Sequence, residues 1–300
     1  MHNFSEEFLA RPEYQVIKAF VQNPDVSPAE AVQRLLRVRE VLHREGREPP
    51  TDIDGTHTWI AMVTVVDLVS LTPAAQQHKF IEFIDHLQRT KVIDPLSGEE
   101  PTAVDMKLWT ELPYLGVYLR DMYFFKYVPG ALHLFPDIFP QSIPRLTLQL
   151  VPRIEYAQQV DDDPRREYPP SELQEWENRN AFMAQLTAKA DHLGHTIDAS
   201  LYALWACRET FEECDPLVEE AVRISCIWYI YASQRMWENC QVRRTFGDAD
   251  NPSPRQRFMM KKWYRWRNDL KAAQLQFPRA STQEMIQKAL TEIEKAERGE

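Results

Sequence analysis

An all-α fold of about eight to ten helices, packed in two coupled halves, is what this 300-residue sequence predicts. Three observations carry that prediction. Helix-start signals recur along the chain, glycine is scarce, and the segments between the starts repeat apolar residues at helical spacing without a series of alternating strands.

The starts come first. Ser27-Pro28 with Glu30, and Ser253-Pro254 with Gln256, each join a capping hydroxyl, a proline at the first helical position and a capping-box partner at the third. Thr72-Pro73 and Asp215-Pro216 carry the cap and proline alone, while Ser171 with Gln174 and Ser281 with Glu284 carry the box alone. Of possible strand patterns, just Leu146, Leu148 and Leu150 alternate, and they make one short segment.

Glycine usage closes off whole classes of function. The chain has eight glycines, none closer to another than nine residues, whereas a phosphate loop or dinucleotide fingerprint needs them clustered to bring backbone N–H groups to phosphate. The G-x-S-x-G nucleophile elbow is absent for the same reason. Prolines are unevenly placed: eight of 21 fall between 129 and 170, a stretch ending in "DDDPRREYPP" that cannot be one regular helix. It reads as a connector between an N-terminal helical half, 1–128, and a C-terminal half, 171–300, and no fixed-period repeat is visible.

Composition is that of a globular protein, 44% hydrophobic and 27% charged, and a chain of this length can bury roughly three quarters of its extended surface. No run of eighteen apolar residues is present to span a bilayer; the longest such stretches lie around Thr56 to Val66 and Ile224 to Gln234. The opening "MHNFSEEFLARPEYQ" has acids where an export signal needs cations, so the expected location is intracellular, cytoplasmic or nuclear. Cys207, Cys214, Cys226 and Cys240 lie at gaps of 7, 12 and 14 with no C-x-x-C pair, which predicts free, mostly buried thiols.

The formal net charge of −10 argues against general nucleic-acid binding, which needs cationic surface. From Arg243 to Lys271, however, nine Lys or Arg face three Asp, a local +6 that leaves −16 elsewhere. Neutralisation by acidic neighbours within the chain is one reading of this, and an acidic partner is the other.

The stretch "KKWYRWRNDL", Lys261 to Leu270, decides between an anchor and a grip. At about 100° per residue Met259, Trp263, Trp266, Leu270 and Phe277 share an arc, with Lys261 and Arg265 on the far side. A base-stacking platform would need aromatics and cations on one accessible face, so the tryptophans are expected to anchor a docked helix. In "HKFIEFIDH", His78, Glu82 and Asp85 oppose the Phe80, Phe83, Ile84 and Leu87 stripe, which with His86 suggests a solvated face rather than a metal site. "DHLGH" (Asp191 to His195) and "VDDDPRR" have no partner cluster to complete a metal centre. Arg208 falls within the stripe of Ile197, Leu201, Leu204 and Phe211, and is expected to pair with a buried carboxylate or to hold a ligand anion. Asn180 shares the face of Trp176 and Met183. With Trp205, Trp263, Trp266 and Arg267 these two complete the candidate binding residues.

Six segments, "LTPAAQQHKFIEFIDHLQ", "ELPYLGVYLRDMY", "EWENRNAFMAQLT", "LYALWACRETFE", "EEAVRISCIWYIYA" and "KKWYRWRNDL", together resemble in order the helices of an uncharacterised fungal family, domain of unknown function 3632, across most of residues 56 to 270. The resemblance implies an all-helical intracellular protein and brings no catalytic residues with it. "CIWYIYA" departs from the small-residue pattern usual there.

The expected function is that of a helical binding or scaffold protein with a protein partner, self-association being a further mode. The alternative is an enzyme with a helix-lined apolar pocket for a small apolar metabolite, in which Arg208 anchors an anion. No catalytic residue, metal or cofactor is assigned, and no membrane span is expected.

Overall fold

In the computed structural model the described residues are 5–46, 49–94, 98–125, 170–247 and 253–300. They form eleven α-helices and one two-stranded hairpin, an all-α architecture. The chain divides into two compact units, Met1–Trp176 and Glu177–Glu300.

The first unit contains α1 (Glu6–Ala10), α2 (Pro12–Gln22), α3 (Pro28–Glu45), α4 (Pro50–Ser70), α5 (His78–Arg89), the hairpin β1 (Thr102–Ala103) and β2 (Met106–Lys107), and α6 (Leu115–Phe125). Ser27 caps α3 as its sequence signal predicts, its hydroxyl accepting from the Glu30 N–H at 3.2 Å. The helix ends at Gly46, whose left-handed φ of 60° lets its N–H close on Leu42 O. α4 is buried along nearly all its length and on every side, the expected position of a helix that is apolar all round. It packs against α2, α3, α6 and β1. Phe8 of α1 meets Trp59 of α4 edge-on, and Phe20 of α2 meets Phe83 of α5.

The second unit contains the part of α7 (Pro170–Lys189) that follows Trp176, then α8 (Ser200–Arg208), a π-turn (Glu209–Glu213), α9 (Glu219–Gln241), α10 (Met260–Ala273) and α11 (Ala280–Arg298). α9 is its axis and packs against α8, α10 and α11. Within "CIWYIYA" the α9 backbone leaves helical geometry at Ala232 (φ −135°, ψ 19°), while Trp228 and Tyr229 just before it are buried.

Four start signals act differently from expectation. Thr72 donates back to Leu68 O at 2.8 Å and so closes α4; a 3-10 turn, Ala74–Gln76, intervenes before α5. Ser253 caps only the 3-10 turn Pro254–Gln256, because Arg257 then runs extended to pair with Thr245, and α10 starts later, at Met260. Asp215 and Pro216 precede the start of α9 at Glu219, and Ser281 lies inside the first turn of α11. Thr72 and Ser253 each make a local bond, but whether a helix continues depends on the tertiary position of the residues that follow. α7 begins at Pro170, one residue ahead of Ser171. The rest of the proline-rich stretch, "VDDDPRR" and the Leu146 to Leu150 alternation lie outside the described residues.

Candidate functional site

The π-turn of the second unit brings together two of the residues singled out in the sequence, Arg208 and Trp266. Its i→i+5 winding turns two successive carboxylates to different neighbours. Glu212 accepts from the indole N–H of Trp266 at 3.0 Å and lies 3.5 Å from Lys262 Nζ. Glu213 accepts from Arg208 Nε at 2.9 Å and lies 3.9 Å from Arg255. Arg265 donates to Phe211 O at 3.2 Å, also on this turn.

Trp263 is fully buried between Tyr229 and Trp237, and its indole N–H donates to Glu297 of α11 at 2.8 Å. Arg267 Nη1 donates to both oxygens of the same carboxylate, at 2.9 and 2.8 Å. Asn180 of α7 is buried and accepts from the Trp228 indole at 3.0 Å, an interhelical bond. Trp205 is buried edge-on against Tyr202. The geometry thus joins Trp266 and Arg208 through the π-turn and Trp263 and Arg267 through Glu297, while Asn180 and Trp205 stand on other helices. The carboxylates Glu212, Glu213 and Glu297 were not foreseen: Glu212 and Glu297 meet Trp266 and Arg267 across 54 and 30 residues, and Glu213 reaches Arg208 only through the five-residue step of the π-turn.

Arg208 is buried at the end of α8, but its partner differs from expectation: the Glu213 side chain is 23% exposed. The arginine end of the pair is thus enclosed with Leu204 and Phe211, while its carboxylate end reaches water. Arg208→Met is therefore expected to cost about 1 to 3 kcal/mol rather than the larger penalty of an enclosed pair, since Glu213 regains water. A urea titration of the variant measures this, and a loss of about 5 kcal/mol would show the carboxylate to be sealed.

The same contacts neutralise five of the nine cations between Arg243 and Lys271: Arg244 on Asp198, Arg255, Lys262, Arg265 on Asp269, and Arg267. The outer face of α10 keeps Lys261, Tyr264, Arg265, Asn268 and Lys271 in solvent. Tyr264 is 41% exposed, stacked by the Arg267 guanidinium at 5.1 Å and neighboured by Trp237.

The cysteines are free. Burial pushes the Cys207 thiol up to about 12, only partly opposed by hydrogen bonds with Tyr229 and Ser225. Burial likewise raises Cys240 to about 12 and raises Cys226. Cys214 is half-exposed, its thiol raised by burial and by Glu209 and Glu213. Because the thiolate is the reactive form, a disulfide reagent is expected to label Cys214 alone in the native protein and all four thiols after unfolding. Rapid native labelling of Cys207 would contradict the packing.

His78, Glu82 and His86 lie in solvent on α5, and Asp85 pairs with Arg89. His192 and His195 stack on each other in the loop before α8. Among the described residues no group of three or more His, Cys, Asp or Glu is placed to hold a metal ion, and no helix is long and apolar enough to cross a membrane.

The first unit holds charged groups that sequence reasoning missed. Asp54 of α4 is buried, clamped by Arg39 Nε and Nη2 at 2.7 and 2.9 Å and by His43 Nε2 at 2.7 Å. One turn on, His57 is fully enclosed and its Nδ1 meets Glu13 Oε1 at 3.1 Å, with Arg11 Nη2 3.3 Å from the same oxygen. Burial drives the Glu13 carboxyl up, but the hydrogen bond and charge of His57, with Arg11, outweigh it and hold the group below the usual glutamate value. The available signal was Asp54 and His57 three apart on α4, a spacing that puts both on one face.

The chain belongs to the family described as protein of unknown function DUF3632, whose model matches residues 29–270. No curated protein and no solved structure matches it.

Proposed function

We propose that the protein is a helical binding protein whose C-terminal unit engages an acidic segment of a protein partner through the outer face of α10. The observation that carries this reading is the division of that helix. Trp263 and Trp266 turn inward, while Lys261 and Lys271, with Arg265 paired to Asp269, flank the half-exposed Tyr264 outside. Arginine and tyrosine on one rigid surface are the residue types that dominate interface energetics, and local positive charge on a chain of net −10 favours an acidic segment over the chain's own average surface. Arg267, stacked on Tyr264, stiffens the aromatic.

The remaining candidate binding residues enter as the frame behind that face: Asn180, Trp205, Trp263 and Trp266 hold the helices in place. Arg208 as an anion anchor in an enzyme pocket is the weaker reading, because Glu213 already supplies its counter-charge and the Arg255 carbonyl takes Nη1.

Fluorescence anisotropy with a fluorescein-labelled peptide of alternating glutamate and leucine tests the proposal. Binding is expected to saturate, to weaken as salt rises, and to fall about tenfold or more in a combined Lys261→Glu, Arg265→Glu, Lys271→Glu variant with unchanged circular dichroism. Unchanged affinity in that folded variant would sink the proposal.

A further inference from the structure

The outer face of α10 carries a pattern as well as a charge. Lys261, Tyr264, Asn268, Lys271 and Leu275 follow one another at steps of three, four, three and four residues, and all five are exposed. At about 100° per residue they fall within an arc of about 80°, on the far side from the buried Trp263, Trp266, Leu270 and Ala273. The helix ends at Ala273 but its winding runs on. Gln274 keeps φ −56° and ψ −30°, and the Leu275 N–H bonds Ala272 O at 3.2 Å.

Alternating threes and fours are the seam spacing of a two-helix coiled coil. On this seam the apolar members are Tyr264, 41% exposed, and Leu275, 92% exposed and the most exposed large apolar side chain among the described residues. A single exposed apolar residue is ordinary on a protein surface. Two on one line, eleven residues and so about 16 Å apart along the axis, match the anchor spacing of a second helix. Trp237 of α9 stands edge-on to Tyr264 at 6.3 Å and walls that end of the seam.

We propose, resting on the reading that this face takes an acidic partner, that the partner segment is an amphipathic helix of about four turns laid along α10. Two apolar residues of the segment, eleven positions apart, seat on Tyr264 and Leu275, and acids beside them meet Lys261 and Lys271. Eleven steps of 100° bring those two anchors to within about 20° of one another on the partner, so a helix presents both at once. An extended segment draws its affinity from the open edge of a sheet, which a helix, with its backbone bonded internally, does not offer. A second copy of the same face would set cations against cations.

The test uses the full chain and three fluorescein-labelled peptides of glutamate and alanine, equal in net charge and each carrying two leucines. The first has its leucines eleven positions apart. The second has them nine apart, on opposite sides of a helix, and the third is the first with a central alanine replaced by proline. By anisotropy the first is expected to bind about tenfold more tightly than either of the others, and by circular dichroism the mixture is expected to gain helix over the sum of its parts. Leu275→Ser, at a side chain that packs against little, is expected to weaken the first peptide about tenfold and to leave the second unchanged. Equal affinity for all three peptides, still lost in the combined Lys261→Glu, Arg265→Glu, Lys271→Glu variant, would overturn the helical partner and leave the acidic one standing. Binding of the first peptide without a gain in helix, or undiminished in Leu275→Ser, would overturn it as well. If no acidic peptide binds, both readings fall.

Discussion

Trp263→Ala is expected to lower the unfolding free energy by about 3 to 5 kcal/mol. That is a large share of the roughly 5 to 15 kcal/mol that holds a domain of this kind folded. The indole is fully buried, fills the space between Tyr229 and Trp237, and ties α10 to α11 through Glu297. Truncation removes that packing, breaks the indole bond to Glu297 and opens a cavity that the rigid neighbours α9 and α11 cannot fully close. Trp266→Ala is expected to behave alike, since its ring is equally buried and its N–H holds Glu212 on the π-turn. Lys261→Ala, on the outer face, should change stability by less than about 0.5 kcal/mol. Guanidinium titrations followed by far-UV circular dichroism compare the three. Tryptophan variants as stable as the parent would show α10 to be loosely attached, and the anchor assignment would fall.

The second large effect is expected in the first unit. Glu13→Ala removes the anion that the enclosed His57 shares with the partly exposed Arg11, and is expected to destabilise by about 3 to 5 kcal/mol. The pH dependence has a definite sign. Because the folded-state pKa of Glu13 lies below its unfolded value of 4.5, its contribution is fully present at neutral pH and is lost as pH falls below 4.5 through the folded value. Asp198 acts in the same direction. Burial raises its carboxyl, but hydrogen bonds from Ser200 and Gly194 together with Arg244 outweigh burial and hold it below its ordinary value. Urea midpoints between neutral pH and pH 3 should fall for the parent and fall less steeply for Glu13→Ala. Parallel pH profiles for the two would show that Glu13 titrates as an ordinary surface acid.

Much of α10 was readable in advance because its pattern is local. Trp263, Trp266 and Leu270 share one side of any helix drawn through them, and all three are buried, with Lys261 in solvent. Met259 and Phe277 were placed on the same stripe, but the helix starts after the first and ends before the second. The exposure of His78, Glu82 and His86 follows from the same kind of periodicity, as does the inward position of Asn180. The wheel turned Arg208 inward and its side chain is buried, but the wheel does not reach Glu213, the partner that the π-turn brings to it.

What the sequence alone determined is therefore the all-α character, the Ser27 cap, and which sides of α5 and α10 face inward. Helix propensity, capping and amphipathic spacing act between residues at most a few positions apart, so they are complete in the sequence itself. Only the tertiary structure decided that Glu297 would receive Trp263 and Arg267, that the π-turn would present Glu212 and Glu213, and that Glu13 would meet His57 across 44 residues. It also decided that Thr72 would end a helix and that Ser253 would cap only a turn. These outcomes depend on the path the chain takes between elements. For a buried charge, sequence dictates only that some partner must exist, because an unpaired one is too costly, while packing selects the partner from the acids and bases it brings within reach.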